Sequence, residues 1–331
     1  MKIFLAGATG AIGKRLLPQL VRRGHIVTAT TRTPDKVDSI RRVGANAEVM
    51  NALDEMEVLE TVRRAAPDVI IHELTSIPPS LDLKHFDQGF AFTNMLRREG
   101  TDFLLAAARS TGCRRFIAQS YAGWPYRRSG TWIKEESDQL LSSSETESSV
   151  EQTLDAILHL ESAVLGESAL EGFVLRYGAF YGPGTSLGLG GSLLEEVKKR
   201  RVPIVGKGTG YWSFLHIDDA ASATVAAVDA PSPGVYNICD DEPAPVSEWL
   251  PFLASQLDAK PPRHIPAWMA QMAIGAFGVA LMTEVRGASN QKAKSRMPWT
   301  PKWPTWRKGF RDGLSSSIQT MPEGRRALKA G

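Results

Sequence analysis

Cysteine is almost absent from this sequence of 331 residues, and neither sign of charge dominates it. The two cysteines, Cys113 and Cys239, lack the spacing of metal ligands and predict no structural disulfide, which is typical of a reducing, cytoplasmic compartment. There are 39 Lys and Arg residues against 36 Asp and Glu, and the net charge of +3 predicts no surface for polyanions. We therefore expect no metal site and no nucleic-acid partner.

A signal peptide is not predicted either, because the first apolar run is short and leads directly into a glycine turn. One later stretch, residues 265–282, carries no charge over about the length that spans a membrane. It contains Pro266, Gln271 and two glycines, and the sequence has no other segment like it. We interpret it as a buried helix, or as a helix that lines an apolar pocket, and we expect no membrane partner.

The most informative feature present is a glycine turn between a predicted strand and a predicted helix. Residues 2–6 form a short apolar run, and residues 14–21 have apolar residues at helical spacing. Glycine allows a tight turn, and its missing side chain lets backbone N–H groups approach a pyrophosphate at the helix N-terminus. The predicted dinucleotide-binding residues of the turn are Gly7, Thr9, Gly10, Ala11, Ile12 and Gly13.

The phosphate loop of kinases and GTPases is excluded by residue identity. That motif requires a glycine five residues before a Gly-Lys pair and a Ser or Thr directly after the pair. Around Gly13-Lys14, the two positions hold Ala8 and Arg15. The turn therefore predicts a dinucleotide and not a triphosphate held for phosphoryl transfer.

Predicted strands and helices alternate along most of the chain. Further strands are predicted at residues 27–31, 47–50, 68–72, 115–119, 173–176 and 235–238. The alternation indicates an α/β fold, a Rossmann-type doubly wound parallel sheet with helices on both faces.

Strand alternation fades after about Pro183, except in residues 212–238. We therefore predict an NAD(P)-binding Rossmann domain at residues 1–182 and 212–239. Residues 183–211 and 240–331 then form a smaller, discontinuous C-terminal substrate-binding domain.

Several motifs in order resemble those of the extended short-chain dehydrogenase/reductase superfamily, in its NAD-dependent epimerase/dehydratase group. They are the glycine turn, Leu175-Arg176-Tyr177 with Tyr181-Gly182-Pro183-Gly184, Phe214 to Ala220, Tyr236-Asn237-Ile238, and Ser289-Asn290-x-Lys292-Ala293 with Trp299-x-Pro301. The resemblance implies a nicotinamide cofactor and a small-molecule substrate. It also implies a catalytic Tyr-x-x-x-Lys pair, whose lysine binds the nicotinamide ribose and lowers the pKa of the tyrosine.

That pair is missing between residues 120 and 200, as in the atypical branch of the superfamily. The resemblance places the lysine four residues before Glu161, at Ile157, and the tyrosine at Thr153. Neither Thr153 nor Ile157 can take the roles of the tyrosine and the lysine. The candidate proton donors are Tyr121 and, second, Ser120, which follow the fifth strand. Without the lysine, we expect the Tyr121 phenol to keep a pKa of about 10.

Arg32 follows the second strand, where NAD-specific members of the family carry an acidic residue. A guanidinium there pairs with a 2′-phosphate, so NADP(H) is favoured over NAD(H). Arg15 is placed to reach the same space, and a solvated surface arginine is the alternative reading of Arg32. The other predicted cofactor residues are Asn51, Ala52, Leu53, His72 and Tyr177.

Two positions depart from the sugar-nucleotide members of the family. Ala179 stands where they carry an Asn, and Trp212 stands where they carry an Arg. A pyrophosphate needs donors and positive charge, so these changes argue against a nucleotide sugar. The predicted substrate residues are Tyr121, Trp124, Tyr126, Ala179 and Trp212, with Trp268 as a further member. The alternative for each aromatic residue is core packing.

Three functions remain open at this point. The first is an NADP(H)-dependent oxidoreductase that reduces a small apolar or aromatic carbonyl or enone. The second is a non-catalytic NADP(H)-binding sensor or partner-binding protein, which the missing pair permits. The third is an epimerase or dehydratase, which would need a strong base that the sequence does not show. A homodimer is left open.

Overall fold

The computed structural model describes residues 1–78 and 80–315. In this part of the chain the strands are β1 (Lys2–Ala6), β2 (Ile26–Thr31), β3 (Asn46–Val49), β4 (Val69–His72), β5 (Arg115–Tyr121), β6 (Ile133–Lys134), β7 (Glu171–Tyr177), β8 (Ala179–Tyr181), β9 (Ile204–Val205), β10 (Tyr211–Trp212), β11 (Phe214–His216), β12 (Gly234–Ile238), β13 (Ala244–Pro245), β14 (His264–Ile265) and β15 (Gly287–Ala288).

The helices connect these strands. They are α1 (Gly13–Arg22), α2 (Val37–Arg41), α3 (Glu55–Ala65), α4 (Phe86–Met95), α5 (Thr101–Thr111), α6 (Glu151–Gly166), α7 (Ser192–Lys198), α8 (Ile217–Asp229), α9 (Val246–Gln256), α10 (Ala267–Thr283), α11 (Gln291–Arg296) and α12 (Trp306–Asp312). A π-helical segment, Leu96–Gly100, joins α4 to α5 without a break in the helix.

The main sheet has seven parallel strands in the order β3-β2-β1-β4-β5-β7-β12. These are the seven strands that the apolar runs predict, so the predicted Rossmann-type fold class is confirmed. Strands β1 and β4 are short apolar runs because both faces of a parallel sheet are covered by helices. The strand order reverses between β1 and β4, and ligands of such sheets bind beyond the carboxyl ends at that point.

Each face of the sheet has its own core. Helices α1 and α8 pack together on one face, where Leu16 and Val225 are buried. Helices α3, α5 and α6 cover the other face, where Leu104 and Leu160 are buried. This arrangement leaves the carboxyl ends of β1, β4 and β5 free to form a site.

A third core lies in the C-terminal part of the chain. It centres on the buried aromatic residues Phe214, Trp249, Trp306 and Phe310, to which α9 and α12 contribute. Ring centroids of Phe214 and Phe310 lie 5.1 Å apart in an edge-to-face arrangement. Trp249 and Trp306 therefore serve to build this core.

The uncharged stretch at residues 265–282 forms the end of β14 and most of α10. Helix α10 is bent at Gly275, where φ is +73°. Its second half is buried through Phe277, whereas Trp268 and Met272 in its first half are each 65% exposed. The prediction of a buried helix is therefore right for the second half and wrong for the first. Among the described residues, none of the helices has the length and apolar character needed to span a membrane.

Candidate cofactor and active site

The glycine turn forms a cradle in which positions 7 and 13 have no room for a side chain. Gly7 has a φ of +98°, and a Cβ on it would lie 2.6 Å from the main-chain oxygen of Glu73. A Cβ on Gly13 would overlap the main-chain oxygen of Gly7. Gly7 therefore packs directly against the end of β4, Gly13 packs against the turn itself, and each close approach requires glycine.

The first turn of α1 faces this cradle with its positive end free. Within the described residues, Ile12 at the N-cap position makes no side-chain cap, and no acidic residue lies in the first turn. Thr9 is half-buried, whereas Gly10 and Ala11 are exposed. Exposed backbone and an uncapped helix N-terminus are what a pyrophosphate requires, so these residues fit a dinucleotide cofactor.

Arg32 lies at the edge of the crevice, where it is exposed. Its guanidinium stands 5.0 Å from the ring centroid of Phe92 on α4. Within residues 1–78 and 80–315 it forms no ion pair, so its donors are free for a ligand. Arg15 is different, because it binds Asp218 at 2.7 Å and the main-chain oxygen of Pro183 at 2.5 Å. The expectation that Arg15 shares the space of Arg32 is therefore wrong.

The loop after β3 also lies at this end of the sheet. The side-chain oxygen of Asn51 accepts from the N–H of Leu53 at 3.2 Å, and Ala52 between them is buried. Asn51 itself is exposed, so its amide N–H₂ group and the second lone pair of its oxygen are not used by this turn.

His72 is fully buried at the end of β4. Its Nδ1 accepts from the N–H of Leu74 at 3.2 Å, so Nε2 carries the proton and donates to Thr101 Oγ1 at 3.0 Å. Burial lowers the pKa of His72 to about 4, which keeps the imidazole neutral. The predicted contribution of His72 to the cofactor site can therefore come only from its main chain.

Glu73 is a buried acidic residue that the sequence analysis missed. The Tyr177 hydroxyl donates to Glu73 Oε1 at 2.8 Å and lies 2.7 Å from Thr224 Oγ1, while Glu73 Oε2 has no hydrogen-bond partner among the described residues. Burial raises the pKa of Glu73 to about 8. Tyr177, predicted to bind the cofactor, has its hydroxyl in this buried network. Its side chain is therefore not open to a ligand.

The raised pKa of Glu73 predicts a pH-dependent cost to stability. Because the folded pKa of about 8 exceeds the ordinary 4.5, the folded state loses stability as pH rises through this window. Glu73→Gln should therefore match the wild type near pH 4.5 and exceed it by on the order of 5 kcal/mol above pH 8. Thermal unfolding of both proteins across this range tests it, with the exposed Glu60→Gln as control. A constant difference at all pH values would contradict the assignment.

Ser120 and Tyr126 lie in a second buried network. The Ser120 hydroxyl donates to Glu161 Oε1 at 2.6 Å, and Arg176 donates to both Glu161 oxygens at 2.9 and 2.6 Å. Arg176 also donates to the Tyr126 hydroxyl, which donates to Asn237. The network ties β5, α6, β7 and β12 together. The hydroxyls of Ser120, predicted as the second proton donor, and of Tyr126, predicted as a substrate residue, are both used by this network.

Tyr121, Trp124 and Trp212 do come together, in an apolar cluster beyond the carboxyl end of β5. Ring centroids of Tyr121 and Trp124 lie 6.3 Å apart, and those of Trp124 and Phe277 lie 5.3 Å apart. Phe86 on α4 packs against Phe277 at 5.1 Å. We call these residues the aromatic cluster: Phe86, Phe90, Tyr121, Trp124, Trp212 and Phe277. The sequence analysis missed Phe86 and Phe277, which come from distant elements.

The remaining predicted substrate residues lie elsewhere. Ala179 packs against the third core, and Trp268 is exposed on α10. A surface groove of about 360 Å³, lined by residues between Pro78 and Phe90, opens beside the aromatic cluster. Phe86 and Phe90 belong to both, so the groove reaches the cluster from the surface.

Thr153 and Ile157, the positions that the resemblance assigns to tyrosine and lysine, are both buried. The Thr153 hydroxyl donates to Asp87 Oδ1 at 2.6 Å and accepts from Asn94 Nδ2 at 3.0 Å. Ile157 packs into the aromatic cluster. The bonds to Asp87 and Asn94 fix α6 against α4 where a catalytic pair would stand.

Arg97, in the π-helical segment, is a buried cation that sequence reasoning also missed. It is 6% exposed, and its Nε and Nη1 have no hydrogen-bond partner among residues 1–78 and 80–315. Burial lowers its pKa to about 10, so it stays charged at neutral pH. Burial raises the pKa of Tyr121 to about 12, and the charge of Arg97 opposes this rise. The expected pKa of about 10 for Tyr121 is therefore too low.

The strand order, the glycine cradle and the free N-terminus of α1 define a dinucleotide-binding protein of the Rossmann type. The sequence profile of the NAD dependent epimerase/dehydratase family matches residues 3–239. The chain belongs to that family.

Two curated relatives and one solved structure extend this comparison. The "3-diazoavenalumate denitrifying reductase" of a Streptomyces species is 39% identical over 316 residues, 94% of this chain and 99% of that protein. The "2-alkyl-3-oxoalkanoate reductase" of Stenotrophomonas maltophilia is 25% identical over 339 residues, 100% of this chain and 99% of that protein. A human epimerase family protein crystallised with NADPH superposes with a TM-score of 0.71 at 18% identity, covering 95% of this chain and 99% of that one.

These findings support an NAD(P)-dependent oxidoreductase. The family is described as NAD dependent, and both relatives are named reductases. The structural neighbour, at 18% identity, shows the shared fold alone.

Proposed function

We propose that this protein is an NADP(H)-dependent reductase that acts on a small aromatic or apolar carbonyl or enone. The observation that carries the proposal is the Tyr121 phenol, which stands at the carboxyl end of β5 within the aromatic cluster. The bound cofactor would supply a hydride. The protein must then hold an apolar substrate, exclude water and deliver one proton.

Tyr121 is the residue that we assign to the proton. Its O–H donates the proton to the carbonyl oxygen as the hydride reaches the carbonyl carbon, and the product is an alcohol. The phenolate left behind recovers its proton from solvent. A phenol with a pKa of about 12 is fully protonated at neutral pH, which suits a general acid and not a base. This favours reduction over epimerisation.

The aromatic cluster supports the substrate class. Tyr121 packs against the aromatic cluster through Trp124, and the Trp212 indole N–H is already used by the main-chain oxygen of Leu281 at 2.8 Å. A nucleotide sugar would bring a pyrophosphate, which apolar rings cannot bind. Both relatives are named for carboxylates, avenalumate and alkanoate, so the test substrates include carboxylic acids.

The 39% identical relative favours a second candidate reaction, the reductive loss of nitrogen from a diazo group. A hydride forms a new C–H bond at the diazo carbon as N₂ leaves, and one proton completes the balance for a neutral diazo compound, so the reaction makes the same demands on the protein. The sensor hypothesis requires cofactor binding without turnover.

Cofactor oxidation separates these functions. We expect NADPH absorbance at 340 nm to fall with at least one of three substrates: an aromatic enone, a 2-alkyl-3-oxoalkanoate or 3-diazoavenalumate. UDP-glucose should neither bind nor be converted. Tight NADPH binding with no oxidation by any of these compounds would favour the sensor, and a tight UDP-glucose complex would contradict the proposed substrate class.

Arg32 is proposed to select NADP(H). Its free guanidinium at the edge of the crevice would pair with the 2′-phosphate, and such a pair contributes about 1.5–3 kcal/mol. Arg32→Ala should therefore weaken NADPH binding about tenfold or more and leave NADH binding nearly unchanged. Fluorescence titration with both cofactors measures this, with the exposed Arg41→Ala as control. Equal affinities of the wild type for NADPH and NADH would contradict the assignment.

A further inference from the structure

Arg97 is an unusual residue for the interior of a protein. Arg97 is 94% buried as a residue and its guanidinium has no anionic partner among the described residues, which costs stability, and natural proteins retain such groups mainly at functional sites. Among the described residues, Arg97 forms no ion pair. Its neighbour Arg98 does have a partner, because it donates to the main-chain oxygen of Gln152. Its position on a π-helical segment points the same way, because such segments are frequent at functional sites.

The position of Arg97 follows from the packing of two helices. Helices α4 and α6 both return from the carboxyl to the amino end of the parallel sheet, so they run in the same direction. The bond from Asn94 to Thr153 fixes their register. Arg97 comes one turn after Asn94, and Ile157 comes one turn after Thr153, so both lie at the same level. The π-helical segment indeed packs against α6.

We propose that Arg97 supplies, from a different helix, the cation that Ile157 cannot supply. It is a positioning residue that acts through Tyr121, by stabilising the phenolate that forms when the Tyr121 proton is transferred to the substrate. This inference rests on the proposed reductase function. It names the residue that makes Tyr121 an adequate acid in an apolar site.

The electrostatic surroundings of Tyr121 agree with this role. Burial disfavours the phenolate, and Arg97 is the charged group that offsets it. His72 also feels the charge of Arg97, and it is neutral because burial lowers its pKa to about 4. Arg97 is therefore the charge available to stabilise a Tyr121 phenolate among the residues that the structure describes.

The first experiment measures the ionisation of Tyr121 without turnover. The protein is labelled with a polyfluorinated tyrosine, whose lower phenol pKa brings the titration of Tyr121 below the pKa of Arg97, and Tyr121→Phe assigns its ¹⁹F resonance. We expect Arg97→Met to raise the pKa of Tyr121 by about one unit or more, because a nearby opposite charge lowers a pKa by one to three units. Arg97→Lys keeps the charge and should leave the pKa near the wild-type value. Arg98→Met is the matched control for loss of a neighbouring charge.

The second experiment tests whether Arg97 acts through Tyr121. Single-turnover hydride transfer at saturating NADPH should fall tenfold or more in Arg97→Met and recover largely in Arg97→Lys. In a Tyr121→Phe background, Arg97→Met should cause no further loss, because there is no phenolate left to stabilise. Arg97→Met should also melt at a higher temperature than the wild type, since it removes a buried unpaired charge.

Two results would overturn the inference: an unchanged Tyr121 pKa in Arg97→Met, or the same fold loss of hydride transfer in both backgrounds. If no substrate is reduced by the wild type, the proposed function fails. The ¹⁹F titration still decides whether Arg97 controls the ionisation of Tyr121. Should Arg97→Met not fold, the comparison of Arg97→Lys with Arg97→Gln carries the same test.

Discussion

Tyr121→Phe is expected to lower the rate of hydride transfer by about 10²–10⁴-fold, because general-acid catalysis contributes that much to such reactions. The substitution removes one hydroxyl and keeps the ring that packs against Trp124. NADPH affinity and melting temperature should therefore stay close to those of the wild type. Stopped-flow absorbance at 340 nm under single-turnover conditions gives the rate.

Tyr126→Phe is the matched control. It also removes one hydroxyl from a buried tyrosine, but this hydroxyl lies between Arg176 and Asn237 in the structural network. We expect it to lower the melting temperature and to leave the rate of hydride transfer within a few-fold of the wild type. Full activity in Tyr121→Phe would remove Tyr121 from the mechanism, and a large rate loss in Tyr126→Phe would show that the Tyr126 hydroxyl contributes to the reaction.

Gly13→Ala is expected to weaken NADPH binding by at least about 100-fold. The added Cβ would overlap the main-chain oxygen of Gly7, so the turn must move. Moving it misplaces the N–H groups that would hold the pyrophosphate, and each lost charge-assisted hydrogen bond costs about 1.5–3 kcal/mol. Fluorescence titration with NADPH measures the loss.

Gly166→Ala provides the control, because a Cβ at Gly166 meets no atom within 4 Å. It should bind NADPH like the wild type. If Gly13→Ala binds NADPH normally while remaining folded, the glycine turn is not the pyrophosphate site.

The sheet could be predicted from the sequence because each strand is marked by its own consecutive residues. The strands β1 and β4 are short apolar runs and β5 contains one, so all three can be buried on both faces, and the glycine turn marks the start of α1. The strand order then follows from the rules for parallel sheets.

The site was harder to predict because motif residues serve two purposes. Arg176 belongs to a motif that resembles the family, yet its side chain holds Glu161, Ser120 and Tyr126 in a structural network. A serine at the end of a strand looks the same in sequence whether it donates to a ligand or to a buried carboxylate. Only the position of Glu161 across the helix-sheet interface decides between the two.

Arg97 and Glu73 could not be found from the sequence for a related reason. Charged residues within a helix or directly after a strand are usually solvated, and nothing local shows that these two are buried. Their burial depends on α6, β7 and α8, which come 50 or more residues later. The aromatic cluster has the same origin, since Phe86 and Phe277 are brought together by the fold.

The central claim is that this protein transfers a hydride to a small organic substrate. Incubation with NADPH that carries deuterium at the transferable position of nicotinamide C4, followed by mass spectrometry of the product, tests it most directly. We expect one deuterium on the carbon of the reduced carbonyl, enone or diazo group, and almost none with Tyr121→Phe in the same time. Tight binding of NADPH without deuterium in any product from the three substrate classes would contradict it.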